Sequence, residues 1–223
     1  MRRVCVFDVN ETLLDLAALD PVFERWFGDA AIRRAWFGQV LQTALVGTVT
    51  GRYRDFALVG KAALEMTAAR LGVDVPDDAV AEVAATMRSL PAHPDVAAGF
   101  ERLAKAGYRL ASLTNSPAAV VEAQLASAGL DRYLEAQLTA DAVERLKPAP
   151  EPYRMAAERL GVAPAEMRLV AAHAWDVTGA IRAGCAAAFV ARPGMVLDPL
   201  GETPDVVGAD LTEVADAIIA LEA

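Results

Sequence analysis

The sequence has few cysteines and no excess of basic residues. Its two cysteines, Cys5 and Cys185, lie in apolar runs without a Cys-x-x-Cys or Cys/His spacing, so structural zinc is not expected. Buried free thiols in a reducing compartment fit this placement best, and a disulfide between them stays open as an alternative. Aspartate and glutamate (30) outnumber lysine and arginine (21), giving a formal net charge of -9. Such a balance does not attract a phosphate backbone, so we expect no nucleic-acid partner.

Long apolar runs are also missing. No uninterrupted run approaches the ~20 apolar residues that a membrane span needs. The segment MRRVCVFDVN begins like a signal peptide, but it reaches Asp8 after a short apolar stretch and offers no cleavage site. We therefore predict a cytoplasmic protein with no membrane association. With 55% hydrophobic residues, a chain of this size buries a substantial core without needing disulfides or metals.

Short apolar runs predict β-strands, and several of them are apolar on both faces, as in a parallel sheet covered by helices. They cover residues 4–9, 110–114, 137–139, 169–172 and 187–190. Helical patterns between the later strands end at Gly107, Gly129 and Gly161, where helix C-caps are usually found. This alternation predicts a doubly wound α/β core.

A long, almost purely helical stretch separates the first predicted strand from the second. Helical patterns cover residues 17–27, 30–45, 53–71 and 77–88. An insertion after the first strand lies over the carboxyl ends of the strands, where open α/β sheets bind ligands. We therefore predict a core domain of residues 1–13 and 93–223 and a helical cap domain of residues 14–92.

Polar side chains gather at the predicted carboxyl ends of the strands. Asp8 ends the first strand, and Thr114 and Asn115 end the second. Lys147 precedes a proline-stiffened loop, and Asp176 follows the fourth strand. If these ends converge, Lys147 would hold Asp8 ionised, while the side chains of the second strand would orient it as a nucleophile. Each residue alone has a structural alternative, such as Asp8 capping the following turn.

Four motifs resemble one known family. In this order along the chain, FDVNETLLD, SLTNS, LKPAPEPY and AAHAWD resemble the haloacid dehalogenase superfamily. The helical insertion and the HAWD-T-GA segment resemble, more narrowly, the type II L-2-haloacid dehalogenases. The resemblance implies a Rossmann-like core with a helical cap, often as a homodimer. It also implies that the aspartate of the first motif attacks the halogen-bearing carbon and forms an ester, which water then hydrolyses.

The resemblance assigns roles to individual positions of this sequence. Asp8 matches the nucleophile, and Thr12 matches the residue that helps bind it. Lys147 matches the lysine of the third motif, and Asp176 matches the acid of the fourth. The remaining matches are Thr114 and Asn115 in the second motif and Tyr153 after the third.

The cap departs from the family's pattern at one position. Phe37 follows Trp36 where type II dehalogenases usually have an arginine that holds the substrate and the leaving halide. Arg33 and Arg34 lie about one turn earlier, and we expect both on a solvated helix face. We assign Phe37 and Trp175 to the walls of the substrate pocket, with core packing as the alternative.

The fourth motif departs as well. His173 replaces an asparagine that usually helps position the hydrolytic water or the nucleophile. We hypothesise that His173 helps activate the water that hydrolyses the ester, with Asp176 orienting the imidazole. A purely structural histidine is the alternative.

Two positions separate this sequence from the magnesium-dependent phosphatases of the superfamily. Asn10 stands where those enzymes usually have a second aspartate, and an amide cannot transfer a proton at neutral pH. Ala172 stands where their fourth-motif aspartate binds the metal. We therefore predict a hydrolase without metal or cofactor that cleaves the carbon–halogen bond of a small 2-haloacid. The alternatives are a magnesium-dependent phosphatase and a weakly active or silent member that acts as a binding protein.

Overall fold

A parallel β-sheet forms the centre of the molecule. The computed structural model describes residues 2–223, and within them six strands pair in the order β3-β2-β1-β4-β5-β6. The strands are β1 (Val4–Phe7), β2 (Leu110–Thr114), β3 (Ala136–Thr139), β4 (Met167–Ala171), β5 (Ala186–Val190) and β6 (Val206–Gly208). Each neighbouring pair is parallel. Alternate residues of β1 enter the cores on opposite faces of the sheet, so both faces are buried.

Helices cover both faces, which confirms the predicted doubly wound, Rossmann-like fold. The helices of the core are α5 (Val96–Lys105), α6 (Ala118–Ser127), α7 (Pro150–Leu160), α8 (Ala174–Arg182) and α9 (Leu211–Leu221). Helices α5, α6 and α9 contribute to the apolar cluster on one face, whereas α7 and α8 contribute to the cluster on the other. Successive pairs of helices therefore lie on opposite faces of the sheet, α5 and α6 on one and α7 and α8 on the other, and α9 returns to the first face.

The predicted strands differ from the observed ones mainly where polar residues interrupt an apolar pattern. Strand β4 begins at Met167, two residues before the start predicted at residue 169. The prediction missed these residues because Arg168 interrupts the apolar run, although its side chain is fully buried. Arg168 is neutralised there by Asp205 and Glu222. Strand β6 was not predicted because it spans only Val206–Gly208 and exposes its central residue.

Helices α1 (Asp20–Phe27), α2 (Ile32–Val49), α3 (Phe56–Leu71) and α4 (Asp77–Arg88) form the insertion after β1. The chain leaves and re-enters the core at one place. The amide of Asp15 donates to the carbonyl of Pro91 over 2.8 Å, and the amide of His93 donates to the carbonyl of Leu13 over 2.9 Å. This seam supports the predicted domain boundaries at residues 14 and 92, which stay a prediction.

Two sequence-based expectations concern the chain as a whole. Within residues 2–223, no helix combines the length and the apolar character needed to cross a bilayer. Among the same residues, Cys5 and Cys185 are both buried and free of a disulfide, which decides between the two alternatives for the cysteines. Burial raises the pKa of both thiols to about 12, so both stay protonated at neutral pH.

Candidate active site

Asp8 lies immediately after β1, at the carboxyl edge of the sheet, and is buried. Its Oδ1 atom accepts a hydrogen bond from Nζ of Lys147 over 2.9 Å. Its Oδ2 atom accepts from Oγ1 of Thr12 over 2.6 Å and lies 3.2 Å from Nδ1 of His173. Burial alone would favour the neutral acid, but Lys147, His173 and Thr12 together hold the pKa of Asp8 well below its usual range. The carboxylate is therefore ionised at neutral pH.

Lys147 is buried and uses its three ammonium hydrogens on three acceptors. Nζ donates to Asp8, to Oδ2 of Asp176 over 2.6 Å and to the carbonyl of Leu113 over 2.9 Å. Burial disfavours the ammonium, but the two carboxylates outweigh it and raise the pKa of Lys147. The predicted pairing of Lys147 with Asp8 is confirmed.

Thr114 at the end of β2 and Asn115 directly after it make no hydrogen bond to Asp8. The amide of Lys147 donates to Oδ1 of Asn115 over 2.8 Å, and Nδ2 of Asn115 donates to the carbonyl of Lys147 over 3.3 Å. Oγ1 of Thr114 accepts from the amide of Ser116 over 3.1 Å. The expectation that Thr114 and Asn115 orient Asp8 themselves is therefore corrected. Asn115 holds the backbone of the lysine loop, and Thr114 shapes the turn that presents Asn115.

Asp176 and Tyr153 support the far side of Lys147. Asp176 lies in the first turn of α8 and is fully buried. Its Oδ1 atom accepts a hydrogen bond from the hydroxyl of Tyr153 over 2.5 Å. Burial and the neighbouring carboxylate raise the pKa of Tyr153, so its hydroxyl stays a donor. Gly179 makes this approach possible, because a Cβ atom there would lie 2.6 Å from the Tyr153 hydroxyl.

His173 lies at the start of α8, between two carboxylates. Its Nδ1 faces Asp8, and its Nε2 lies 2.9 Å from Oε2 of Glu11. Burial disfavours the imidazolium, but the hydrogen bonds to Asp8 and Glu11 raise the pKa of His173 to about 9. At neutral pH both ring nitrogens therefore carry protons. Both oxygens of Asp176 are bonded to Lys147 and Tyr153 instead.

These contacts correct the hypothesis for His173. Asp176 does not orient the imidazole, since its hydrogen bonds point the other way, toward Lys147. A protonated imidazole also has no lone pair with which to accept a proton from water. At neutral pH His173 acts as a cationic hydrogen-bond donor rather than as a base.

Glu11 belongs to the site and was not predicted from the sequence. Its backbone has φ of 61°, in the left-handed region that non-glycine residues rarely adopt. Besides His173, its carboxylate faces Nη1 of Arg33 over 3.8 Å, and Nε of Arg33 donates to Oδ1 of Asp20 over 2.5 Å. The sequence offers only one indication of this role, which is that Glu11 is an acidic residue three positions after Asp8.

Arg33 connects this group of charges to the insertion. It lies on α2 and is buried, so the expectation of a solvated side chain is wrong for Arg33. The expectation holds for Arg34, which is exposed. Arg33 therefore does not take the place of the arginine that type II dehalogenases usually have at the position of Phe37. It pairs with Glu11 instead.

Aromatic side chains wall the space above Asp8. The Trp175 ring stacks on His173 with centroids 5.1 Å apart, and Nζ of Lys147 lies 5.9 Å from the centre of the same ring. The Phe37 ring lies 6.3 Å from the imidazole. Phe37 and Trp175 therefore both line the site, as predicted. A cavity of about 630 Å³ adjoins these residues, and its walls carry three arginines (Arg33, Arg34 and Arg192) and two carboxylates (Glu11 and Asp15).

Asn10 and Ala172 take structural parts in the site. Asn10 donates to Oγ of Ser116 over 3.2 Å and accepts from Nε2 of Gln124 over 3.0 Å. The amide of Ala172 donates to Oγ1 of Thr12 over 3.0 Å. Since the oxygens of Asp8 already face a lysine ammonium and an imidazolium, the donor set around Asp8 disfavours a metal cation there.

Asp8 is thus a buried, ionised aspartate directly after β1, paired with a lysine, in a sheet with a helical insertion after the same strand. Residues 2–184 match the model of the family described as haloacid dehalogenase-like hydrolase. The chain belongs to this family.

Relatives with named activities narrow the comparison. The chain is 32% identical to (S)-2-haloacid dehalogenase 4A of Burkholderia cepacia, over 86% of this chain and 84% of that one. It is also 32% identical to (S)-2-haloacid dehalogenase of Xanthobacter autotrophicus, over 86% of this chain and 76% of the other. The solved structure of L-2-haloacid dehalogenase from Xanthobacter autotrophicus with chloropropionic acid covalently bound superposes with a TM-score of 0.91. It is 28% identical, and the match covers 98% of each chain.

Proposed function

We propose that the protein hydrolyses the carbon–halogen bond of a small (S)-2-haloacid through an ester on Asp8, without a metal ion or cofactor. The observation that carries the proposal is the Asp8 carboxylate, which is ionised beside Lys147 and faces a cavity walled by Phe37 and Trp175. An ionised, largely desolvated carboxylate is a competent nucleophile toward carbon. The named activity of relatives at 32% identity supports the choice of substrate.

The first step transfers no proton. One oxygen of Asp8 forms a bond to carbon 2 of the substrate while the halide leaves with the electron pair of the carbon–halogen bond. The negative charge passes from Asp8 to the halide. Lys147 and His173, both cationic, stay beside the reacting atoms, and Lys147 is held in place by Asp176 and the loop that Asn115 fixes.

The second step consumes water. Water adds to the carbonyl carbon of the Asp8 ester, and the bond between that carbon and the oxygen that Asp8 gave to carbon 2 then breaks. That oxygen takes one proton of the water and leaves as the hydroxyl of the product, whereas the oxygen of the water stays on Asp8 and the second proton is released. The 2-hydroxyacid leaves, and Asp8 is again a carboxylate. Over both steps a haloacid and water give a hydroxyacid, a halide ion and one proton.

The test is halide release from L-2-chloropropionate in the presence of a chelator. We expect release to continue with the metal removed, because each charge that the reaction develops is met by Lys147 or His173. The Asp8→Asn variant should lose the activity by at least about 1,000-fold, since the amide cannot form the ester. The matched control is Asp131→Asn, the same chemical change at an exposed position.

Hydrolysis of p-nitrophenyl phosphate with magnesium is the competing measurement. Phosphate release that depends on magnesium, with no halide release from chloropropionate, would overturn the proposal in favour of a phosphatase. Absence of both activities would overturn it in favour of a binding protein. Halide release that persists in Asp8→Asn would show that another group is the nucleophile.

Two finer features of the function stay predictions from the sequence. We propose a cytoplasmic protein, which the two buried free thiols support. We also propose a homodimer, which is supported by the apolar side chains of Leu45, Val46 and Leu58 that α2 and α3 expose.

A further inference from the structure

The two oxygens of Asp8 are not equivalent. Oδ1 accepts one hydrogen bond, from Lys147. Oδ2 accepts from Thr12 and faces the protonated Nδ1 of His173. A carboxylate oxygen has about two lone-pair directions, so both are occupied on Oδ2, whereas one remains open on Oδ1. The oxygen free to attack carbon is therefore Oδ1, and Oδ2 becomes the carbonyl oxygen of the ester.

We propose that Thr12 and His173 form the oxyanion site of the ester-hydrolysis step, and that Glu11 keeps His173 charged for this purpose. The inference rests on the proposed function. When water adds to the ester carbon, the electron pair of the carbon–oxygen double bond moves onto Oδ2. The two donors already face that atom, at 2.6 Å and 3.2 Å. Donors that are in place before charge develops lower the barrier without a cost of reorganisation.

The donors are fixed by contacts outside the reacting atoms. The amide of Ala172 donates to Oγ1 of Thr12, which leaves the Thr12 hydroxyl hydrogen to point at Asp8. Nε2 of His173 is held by Glu11, which fixes the ring with Nδ1 toward Oδ2. Trp175 stacks on the ring from one side. His173 and Thr12 touch the reacting group and are catalytic residues, whereas Glu11 acts through His173 and is a positioning residue.

The charged groups around His173 come from several elements. Asp8 and Glu11 contact the imidazole directly and favour its protonation. Lys147, beyond Asp8, disfavours a second positive charge. The other charged or titratable side chains on the adjoining cavity walls are Asp15, Arg33, Arg34, His93 and Arg192. In the free protein the two carboxylates in contact outweigh the more distant cations. Once Asp8 is esterified it carries no charge, so the charge on His173 then depends chiefly on Glu11.

The first test separates the two steps in His173→Gln, which keeps a side-chain donor but loses the charge. Halide release in a single turnover with L-2-chloropropionate reports ester formation, and intact mass spectrometry reports the ester. We expect ester to accumulate, because a neutral amide stabilises the oxyanion less than a charged imidazole does. Ester decay should slow by up to about 100-fold, the effect of removing an oxyanion donor altogether, while halide release changes far less. Equal slowing of both steps, with no ester detected, would overturn the inference.

The second test uses Glu11→Gln, which keeps an acceptor for Nε2 but removes the negative charge. The pKa of His173 is about 9 while Asp8 is a carboxylate. It is lower in the ester, where Asp8 is neutral and only Glu11 still favours the charged imidazole. Because the charged imidazole is the active form, ester decay in the unaltered protein should fall as pH rises through that lower pKa. In Glu11→Gln the same fall should occur at lower pH. If Glu11 had only a structural role, Glu11→Gln would lower the rate of ester decay at every pH without shifting its pH dependence. A decay rate that rises with pH would instead make His173 a base and overturn the inference.

A control variant checks the pH profile, and the results distinguish failure of the proposed function from failure of this inference. Glu122→Gln, at an exposed position on α6, should leave the pH profile unchanged. If the unaltered protein releases no halide, the proposed function fails and the inference falls with it. If halide is released and ester is trapped, but neither variant alters ester decay, the proposed function stands and only the inference is overturned.

Discussion

Asp8 separates two groups of charged side chains that are built differently. The lysine side consists of Lys147, Asp176 and Tyr153, all buried, and all from the elements of the core. The histidine side consists of His173, Glu11 and Arg33; it borders the large cavity and ends on a helix of the insertion. The lysine side is closed, whereas the histidine side lines a cavity, and Lys147 and His173 both favour the ionised form of Asp8. The chemistry of the site is thus divided between a fixed part and a part in contact with the insertion.

The largest effect is expected from breaking the lysine side with Lys147→Met. The change leaves buried Asp176 without a cation and leaves Asp8 with His173 alone. Loss of one partner of a buried ion pair costs about 3–5 kcal/mol of the free energy of unfolding. Halide release should fall by about 100- to 1,000-fold. Denaturant unfolding and single-turnover halide release are the measurements. Lys105→Met, at an exposed position, is the control, and equal stability of the two variants would contradict the expectation.

A smaller effect is expected on the histidine side from Arg33→Met. The change removes the partly buried hydrogen bond from Arg33 to Asp20 and the pairing with Glu11. A hydrogen bond to a charged group contributes about 1.5–3 kcal/mol. The free energy of unfolding should fall by that amount. The neighbouring Arg34→Met is a close control, because an exposed substitution stays within about 0.5 kcal/mol. A loss of stability that is the same for both arginines would show that Arg33 does not connect the insertion to the site.

The smallest effect is expected from a change of pH alone, which titrates the two histidines of the chain. The imidazole signal of His173 should titrate near pH 9 in an NMR experiment. Burial, aided by Arg192, lowers the pKa of His93 below its ordinary value. Because folding raises the pKa of His173, its contribution to stability should be complete below about pH 6.5. It should be lost as pH rises through about 9. A His93→Gln variant assigns the signals, and two titrations that coincide would contradict this picture.

The lysine side could be predicted from the sequence because each of its residues follows a recognisable element or lies in a motif. Asp8 ends an apolar strand, Lys147 stands before a run of prolines, and Asp176 follows β4. Carboxyl ends of parallel strands meet at one edge of the sheet. Their convergence therefore follows from the fold alone.

The histidine side could not be predicted in the same way. The place of Glu11 depends on a single left-handed backbone conformation, and no local pattern distinguishes it from an ordinary surface glutamate. Burial of Arg33 depends on where α2 meets the loop after β1, which helical periodicity does not specify. The charge of His173 follows from its contacts with Asp8 and Glu11. The hypothesis that His173 acts as a base, oriented by Asp176, was made without the contact to Glu11, and the structure directs Asp176 toward Lys147 instead.

The seam at which the insertion leaves and rejoins the core has a consequence for how such a protein changes over generations. Leu13 and His93 are joined by a hydrogen bond there, as are Asp15 and Pro91, so both ends of the insertion meet at one junction. Insertions of different length or shape can be accepted at such a junction without altering the pairing of the strands. Arg33 and Phe37 belong to the exchangeable stretch, whereas Asp8 belongs to the sheet. Selection can therefore alter which molecules are admitted while the bond-breaking machinery is inherited unchanged.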